Sequence, residues 1–460
     1  MNFKGLKVLV IGTGISGIGA AKLLENVGAY PILFDSNCDV DKKSIEDKFH
    51  RDTKVSFYYG ELPENVSRST DLVVLSPGVP TDIPMVNGFR ERHIKIWGEI
   101  ELAYEFSRGD VLAITGTNGK TTTTTLLGEI MKNYVSASDG KQKVFVVGNI
   151  GNPYTQAALD TEDNSITVAE ISSFQLETID RFKPKVAAIL NITPDHMNRH
   201  YTMENYVAIK EKISKNQGGS ETVILNYDDP YTKKFGEETA AKVVYFTRGT
   251  DFALNGSANV DFVHMNGDMI MYNDIEIINV NDMILIGTHN YENVMAAIGM
   301  AVSYGVPYDV ITDTVRNFKA VEHRIEFVKT VDGVDYYNDS KGTNPDAAIK
   351  GIQAMTKKTV LIGGGYDKKS SYDDWIESFD GKVRYLILLG QTAENIAECA
   401  RKHGFNDIII ASDLKEAVIT AHEKAMQGDA VLLSPACASW GMFSNYEERG
   451  RMFKDYVREL

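Results

Sequence analysis

The stretch Val111-Leu-Ala-Ile-Thr-Gly-Thr-Asn-Gly-Lys-Thr-Thr122 carries an apolar, strand-length run into a glycine turn and then into a Lys-Thr that opens a helix-prone segment, Thr125-Leu-Leu-Gly-Glu-Ile-Met131. A strand, a glycine turn and a helix start in that order make a cradle for nucleotide phosphates. Turn N–H groups and the positive end of the helix dipole face the anion, Lys120 neutralises β/γ charge, and the Thr121 hydroxyl is placed to hold Mg²⁺. Only Thr117 and Asn118 separate Gly116 from Gly119-Lys120, whereas the common P-loop has four residues there. A plain turn followed by a solvated helix-start lysine is the bland alternative, and the flanking strand and helix patterns weigh against it.

Outward from this stretch, short apolar runs ending in polar or small residues alternate with helical pattern, which indicates parallel sheets. Before it lie Lys7–Ile11, a helix over Ile18–Val27, Pro31–Asp35 and Asp71-Leu-Val-Val-Leu-Ser-Pro-Gly78. After it come Phe145-Val-Val-Gly-Asn149, Ile166-Thr-Val-Ala-Glu170 and Val186-Ala-Ala-Ile-Leu-Asn191. From about 242 to 286 the texture changes to short alternating strands with a hairpin turn expected at Asn266-Gly267, and no chemistry is legible there. A helix over Tyr291–Tyr304 follows, and the last third alternates again, with strands at Val334–Tyr337, Thr359–Ile362, Tyr385–Leu389 and Ala430–Leu433. The expected fold is α/β with three domains in series: a Rossmann-like unit over 1–106, a central P-loop ATPase-type parallel sheet over 107–320, and a Rossmann-like C-terminal unit over 321–460.

The 460 residues, 43% hydrophobic and 24% charged, contain no apolar run long enough to span a bilayer, and the chain enters a strand at once without a signal-peptide pattern. A cytoplasmic protein is expected. Cys38, Cys399 and Cys437 are odd in number and lack metal-ligand spacing, which argues against a disulfide framework or a zinc site. A net charge of −15 disfavours nucleic acid as a partner.

Several strand ends carry chemistry. Gly12-Thr-Gly-Ile-Ser-Gly17 opens a helix ahead of Asp35, as in dinucleotide sites; a UDP-sugar site uses the same physics, and a ligand-free tight turn stays open as an alternative. Ser76-Pro-Gly78 stands to complete such a pocket. Glu170 ends a strand where a lone carboxylate is costly unless paired or bound to a cation, so it is a candidate Mg²⁺ ligand. Asp195 and His196 follow another strand at the same edge. Lys210 lies among Glu211, Lys212 and Lys215, and composition alone makes it part of a solvated charged face. Asn290 and Asn293 share one helix face, with capping by Asn290 an equal possibility. Arg324, Asp339 and Lys341 bring both charge signs to a strand–helix turn. Lys368, after Leu361-Ile-Gly-Gly-Gly-Tyr-Asp, and Ser439, in Leu433-Ser-Pro-Ala-Cys-Ala-Ser, are natural holders of a small carboxylate.

These motifs, together with Gly148-Asn-Ile-Gly151, Glu170-Ile-Ser-Ser-Phe-Gln-Leu-Glu177, Asn191-Ile-Thr-Pro-Asp-His-Met197, Gly287-Thr-His-Asn-Tyr-Glu-Asn293, Glu322-His-Arg324 and Asn338-Asp-Ser-Lys-Gly-Thr-Asn344, resemble those of the Mur ligases in the same order over nearly the full length. The match is most specific to the family's D-glutamate-adding member. The resemblance implies ATP-dependent joining of D-glutamate to UDP-N-acetylmuramoyl-L-alanine through an acyl phosphate, in peptidoglycan precursor synthesis. ATP and Mg²⁺, the latter at two sites, are the implied cofactors, and a monomer without nucleic-acid or membrane partners is expected. It further implies that Ile15, Ser16, Asp35, Ser76 and Gly78 contact the UDP group, and that Asn149 and His196 meet the muramoyl-alanine part. Gly116, Thr117, Asn118, Gly119, Lys120, Thr121, Thr122, Glu170, His196 and Lys210 would form the phosphate and metal centre, Lys210 as a carbamate. Asn290, Asn293, Arg324 and Asp339 would bind ATP, and Thr343, Lys368, Ser439 and Tyr446 would bind D-glutamate. Gly342 and Gly441 depart from the family's usual alanine and aspartate. A NAD-dependent oxidoreductase would use Gly12–Gly17 and Asp35 but leave Lys120, Glu170 and His196 idle. A non-catalytic nucleotide-binding regulator would not need them either. Folylpolyglutamate synthase, which resembles the central motif, does not carry the N-terminal glycine unit.

Overall fold

A computed structural model describes residues 2–138, 140–250, 260–319, 321–367 and 370–460. They form two compact units, Met1–Val280 with Glu292–Val315, and Asn281–Tyr291 with Arg316–Leu460.

The first unit opens with β1 (Lys7–Ile11), β2 (Tyr30–Asp35), β3 (Ser56–Tyr59), β4 (Leu72–Leu75) and β5 (Lys95–Gly98), a wholly parallel sheet of order β3-β2-β1-β4-β5. β4 reads Leu-Val-Val-Leu with every residue buried, because a parallel sheet is covered on both faces and alternation disappears. The order reverses between β1 and β4, which puts the glycine turn after β1 and Ser76 after β4 at the crevice where such sheets bind ligands.

A second sheet in the same unit comprises β6 (Asp110–Thr115), β7 (Val144–Gly148), β8 (Ile166–Glu170), β9 (Val186–Ile189), β10 (Thr222–Asn226), β11 (Lys242–Thr247), β12 (Asp261–Asn266), β13 (Met269–Tyr272) and β14 (Ile275–Asn279). Its order is β14-β13-β12-β11-β10-β9-β6-β8-β7, parallel from β7 to β12 and antiparallel at the last two strands. The alternating texture after residue 242 is therefore an extension of the central sheet.

The two sheets share one hydrophobic cluster, in which Trp97, Ile100, Tyr154 and Phe182 are buried. Each such side chain contributes roughly 1.5–3 kcal/mol by leaving water. Two buried carboxylates on the helix Glu99–Phe106 fix the geometry more specifically. Glu99 accepts from the Thr155 N–H and Gln175 Nε2, both at 3.1 Å. Glu101 accepts from the N–H groups of Asp180, Arg181 and Phe182 at 2.8, 2.8 and 3.0 Å.

The second unit holds β15 (Glu326–Val331), β16 (Val334–Asn338), β17 (Thr359–Gly363), β18 (Val383–Leu388), β19 (Ile408–Ile410) and β20 (Ala430–Leu433), in order β15-β16-β20-β17-β18-β19. Only the β15–β16 pair is antiparallel. Among the described residues, no helix is long and apolar enough to cross a membrane.

Three local expectations shift. The first helix starts at Ile15, not Ile18, because its N-cap is Gly14, which has no capping side chain to mark the start. The helix expected at Tyr291 starts at Thr288, so Asn290 lies inside it; its Nδ2 donates to the Ile286 carbonyl at 2.6 Å instead of capping. The hairpin turn falls on Gly267-Asp268, one residue later than expected, with Gly267 taking the positive φ of +58°.

Candidate active site

Strand register brings the central motifs to one edge. Gly148 of β7 pairs with Glu170 of β8, Ile114 of β6 with Glu170, and Thr115 of β6 with Ile189 of β9. All four strands are parallel, so the turn after β6, Asn149 after β7, Glu170 itself and the Asn191–His196 loop after β9 share the carboxyl edge, where open α/β sheets bind ligands.

The turn after β6 is closely determined. Gly116 and Gly119 have φ of +150° and +86°, and a Cβ on Gly119 would overlap Asn293 Oδ1 and come within 3.1 Å of Leu190 Cδ1. Lys120 Nζ donates to the carbonyls of Gly116 and Thr117 at 2.8 and 2.9 Å, which holds its charge over the loop. The Thr117 N–H donates to the Asn191 carbonyl at 2.9 Å, its hydroxyl lies 3.1 Å from Tyr206 Oη, and the Asn118 N–H donates to Asn191 Oδ1 at 2.9 Å. The turn after β6 and the loop after β9 are thus one hydrogen-bonded structure. The first turn of the helix Lys120–Ala137, with Thr121 and Thr122 buried, presents its N-terminal N–H groups at the same edge.

Glu170 is 1% exposed. Its Oε1 accepts from Asn149 Nδ2 at 2.9 Å, while among the described residues Oε2 has no hydrogen-bond partner. The helix Ser173–Leu176 has its own capping box from Ser172 and Gln175, so Glu170 does not cap it. A buried carboxylate oxygen without a donor is costly, and hard oxygen donors suit Mg²⁺. The residues present fit that ion.

Lys210 is the correction of greatest consequence. It is 1% exposed, not part of a solvated face. Its Nζ lies 4.7 Å from the centre of the Tyr206 ring. Burial, then the charge of Lys120, pushes its ammonium pKa well down. His196 stands at φ +53°, its Nε2 3.4 Å from Asp195 Oδ2 and its ring stacked obliquely 4.9 Å from Phe174. Sequence reasoning missed His200, four residues on. It is 2% exposed, bonded through Nε2 to Ser173 Oγ at 2.9 Å, and packed on Phe174 and Tyr206. Burial, with Lys210 next, lowers its pKa to about 4, which keeps the ring neutral.

In the N-terminal sheet, Asp35 accepts from the Thr13 N–H and hydroxyl at 3.1 and 2.7 Å, and Ser76 Oγ donates to the Gly12 carbonyl at 3.2 Å. Ile15 is 65% exposed at the helix start, beside Ser16. The loop after β4 is tied to the loops after β8 and β9 of the central sheet, since Arg199 bonds Glu177 at 2.6 Å and the Val79 carbonyl, next to Gly78, at 2.9 Å.

In the second unit, Asp339 follows β16 and accepts from Ser434 Oγ at 2.7 Å. Burial raises its pKa to about 7 against the opposing effects of Ser434 and Arg324. Arg324 Nε is buried without a hydrogen-bond partner among the described residues. Arg449, which the sequence reading missed, bonds Ser340 Oγ at 3.0 Å, the Ser340 carbonyl at 2.8 Å and the Cys437 carbonyl at 3.2 Å. Ser340 Oγ donates to the Tyr446 carbonyl at 2.8 Å. One buried guanidinium therefore gathers the segments that carry Thr343, Ser439 and Tyr446. Lys368 lies outside the described residues. The glycine departures have local reasons. A Cβ on Gly342 would stand 2.7 Å from Asp339 Oδ2, and Gly441 has φ +83°.

Three sequence profiles match in series: the N-terminal domain of MurD-like Mur ligases over residues 6–98, the Mur ligase middle domain over 114–301, and the Mur ligase glutamate ligase domain over 323–437. The chain belongs to the Mur ligase family. It is 52% identical to the UDP-N-acetylmuramoylalanine–D-glutamate ligase of Lachnospira eligens over 100% of both chains, and 53% identical to that of Lachnoclostridium phytofermentans over 100% of this chain and 99% of the other. Solved structures agree on the fold: the UDP-N-acetylmuramate-alanine ligase of Thermotoga maritima aligns at TM-score 0.60 and 18% identity over 99% of both chains. The MurF ligase of that organism, in complex with ADP, aligns at 0.56 and 17% over 99% of this chain and 96% of its own.

Proposed function

We propose that the chain joins D-glutamate to UDP-N-acetylmuramoyl-L-alanine with conversion of ATP to ADP and phosphate, a step of peptidoglycan precursor synthesis. The observation that carries this reading is identity above 50% along the whole chain with ligases of that name. The unpartnered oxygen of Glu170 and the buried Lys210 beside a phosphate-type loop agree with it.

Hydroxide is a poor leaving group, so the L-alanyl carboxylate must be activated before an amine can displace it. Its oxygen attacks the γ-phosphorus of ATP, the bond to the ADP oxygen breaks, and an acyl phosphate forms. The amine of D-glutamate then adds to the carbonyl carbon, phosphate leaves, and the amine proton passes to solvent or a neighbouring base. Lys120 and the N–H groups of the helix start at Lys120 compensate charge that builds on the transferred group. Gly116, Thr117, Asn118, Gly119, Thr121 and Thr122 shape the cradle, and Asn290, Asn293, Arg324 and Asp339 hold the rest of ATP. Mg²⁺, when bound, would neutralise phosphate oxygens, held at two sites by Thr121, Glu170, His196 and a carbamylated Lys210. Carbamylation needs a neutral amine to add to CO₂, and burial of Lys210 favours that form. Ile15, Ser16, Asp35, Ser76 and Gly78 receive the UDP group, Asn149 and His196 the muramoyl-alanine part, and Thr343, Lys368, Ser439 and Tyr446 the D-glutamate. Residues 1–106, 107–320 and 321–460 are the corresponding UDP-, ATP- and amino-acid-binding domains of a cytoplasmic monomer.

Phosphate release measured with UDP-N-acetylmuramoyl-L-alanine, ATP and a panel of amino acids tests the reading. Release is expected only when D-glutamate is supplied with both other substrates. Equal turnover of L-glutamate, L-lysine or meso-diaminopimelate would overturn it.

A further inference from the structure

Away from the strand edges, the second unit brings together three side chains that no role above uses. Asp373 begins the short helix Asp373–Glu377, while Cys399 and His403 lie four residues apart at the end of the helix Ala393–Lys402, so both face the same way. His403 Nε2 is 2.9 Å from Asp373 Oδ1 and Cys399 Sγ is 3.6 Å from the same oxygen. One ligand atom from each of the three residues lies within 4.8 Å of the others. We propose that Asp373, Cys399 and His403 form a binding site for a thiolate-preferring divalent cation of the Zn²⁺ class.

The separations suit the ion. Tetrahedral Zn²⁺ with ordinary bond lengths sets its ligand atoms about 3.6 Å apart for sulfur to oxygen and about 3.3 Å for nitrogen to oxygen. The first already holds, and the second needs the imidazole and carboxylate to part by a few tenths of an ångström. The other ring nitrogen supplies an independent indication: His403 Nδ1 lies 3.5 Å from Glu377 Oε1. In the metal-free ring Nε2 donates to Asp373; once a cation takes Nε2, the ring proton moves to Nδ1, where the Glu377 carboxylate stands to accept it, the arrangement usual behind metal-bound imidazole. A cleft of about 440 Å³ lined by Ser371, Asp373, Glu398 and Cys399 leaves room for water as the fourth ligand. Binding replaces the Cys399 thiol proton, which passes to solvent, so affinity rises with pH. The only other grouping of this kind among the described residues, Glu322, His323 and Glu326, already holds a cation: Lys454 Nζ donates to Glu322 and Glu326 at 2.6 and 3.0 Å. Cysteine spacing alone argued against zinc because the site draws one cysteine, one histidine four residues on, and a carboxylate from another helix.

The test uses the full chain with excess Mg²⁺ to fill hard-cation sites, and does not depend on the ligase reading. Zn²⁺ is titrated against a chromophoric chelator, and Cd²⁺ is titrated while the ultraviolet thiolate-to-metal band is followed. One Zn²⁺ per chain and a Cd²⁺ band are expected in the parent and in Cys38→Ser, which removes the exposed thiol. Cys399→Ser should lose the band, and both it and His403→Gln should weaken Zn²⁺ at least 100-fold. Glu377→Gln should weaken it about 10–100-fold, as for other partners behind a ligand. All four side chains are at least partly exposed, and melting curves without metal verify that each variant is folded. Unchanged Zn²⁺ affinity in folded Cys399→Ser or His403→Gln, or no Cd²⁺ band in the parent, overturns the proposal.

Discussion

Gly119→Ala probes how far the proposed phosphate loop depends on one backbone conformation. Gly119 has φ +86°, a left-handed conformation that costs an L side chain about 1–2 kcal/mol. The added Cβ would also overlap Asn293 Oδ1 and stand 3.1 Å from Asn293 Cγ and from Leu190 Cδ1. Asn293 is buried and cannot swing into solvent, so overpacking adds about 1–3 kcal/mol. The total is about 2–5 kcal/mol, felt in the first unit. A mutant cycle with Asn293→Ala separates the contributions, since it removes the overlapping oxygen and leaves φ unchanged. Gly119→Ala should then cost only about 1–2 kcal/mol in the Asn293→Ala background, giving a coupling of about 1–3 kcal/mol. Denaturant melts of the four proteins, followed by far-ultraviolet circular dichroism, read these differences, and phosphate release should fall with the single variant. Equal costs in the two backgrounds would refute the overlap argument. A cost below about 0.5 kcal/mol in both would refute the backbone argument as well.

Lys120→Ala should remain folded and lose about 10²–10³ in the rate of phosphate release, the usual loss for one electrostatic contact to developing charge; near-normal release from a folded variant would remove Lys120 from the phosphate centre. Lys210→Met should be nearly inactive yet no less stable near neutral pH. Because the folded pKa of Lys210 is depressed, the unfolded chain holds more protons between the folded value and about 10.4, so stability rises with pH across that window and the variant should lose this slope in melts run at increasing pH. Asp339 works in the opposite direction. With its carboxyl raised to about 7, the folded chain holds the extra proton between about 4 and 7, so stability falls as pH rises through that range, and Asp339→Asn should flatten the fall. Arg449→Met should loosen the second unit and raise the Michaelis constant for D-glutamate more than that for ATP, because it removes bonds to Ser340 and the Cys437 carbonyl. Equal changes in both constants would count against it.

What was legible in the sequence is what local physics writes there. Parallel strands buried on both faces read as unbroken apolar runs, so Leu72–Leu75 and Val186–Ile189 stand out, and the polar residues that end strands mark the ligand edge before any register is known. Helix starts were less legible where no side chain caps them, as at Gly14. Lys210 was the least legible of the site residues. On the helix Met203–Glu211 it shares a face with Tyr206, and only these two are buried. Sequence neighbours report the other faces: Glu211, Lys212 and Lys215 make the segment look solvated, while Tyr206 and His200, which surround the lysine, are ordinary residues until the fold stacks them. The same holds for Arg449, whose partners Ser340 and Cys437 come from distant segments. A burial that depends on contacts far apart in the chain leaves no mark in composition or period. An ammonium that the fold keeps out of water and sets near Lys120 gains nothing as a surface charge; burial favours the neutral amine, the form that the proposed carbamylation requires.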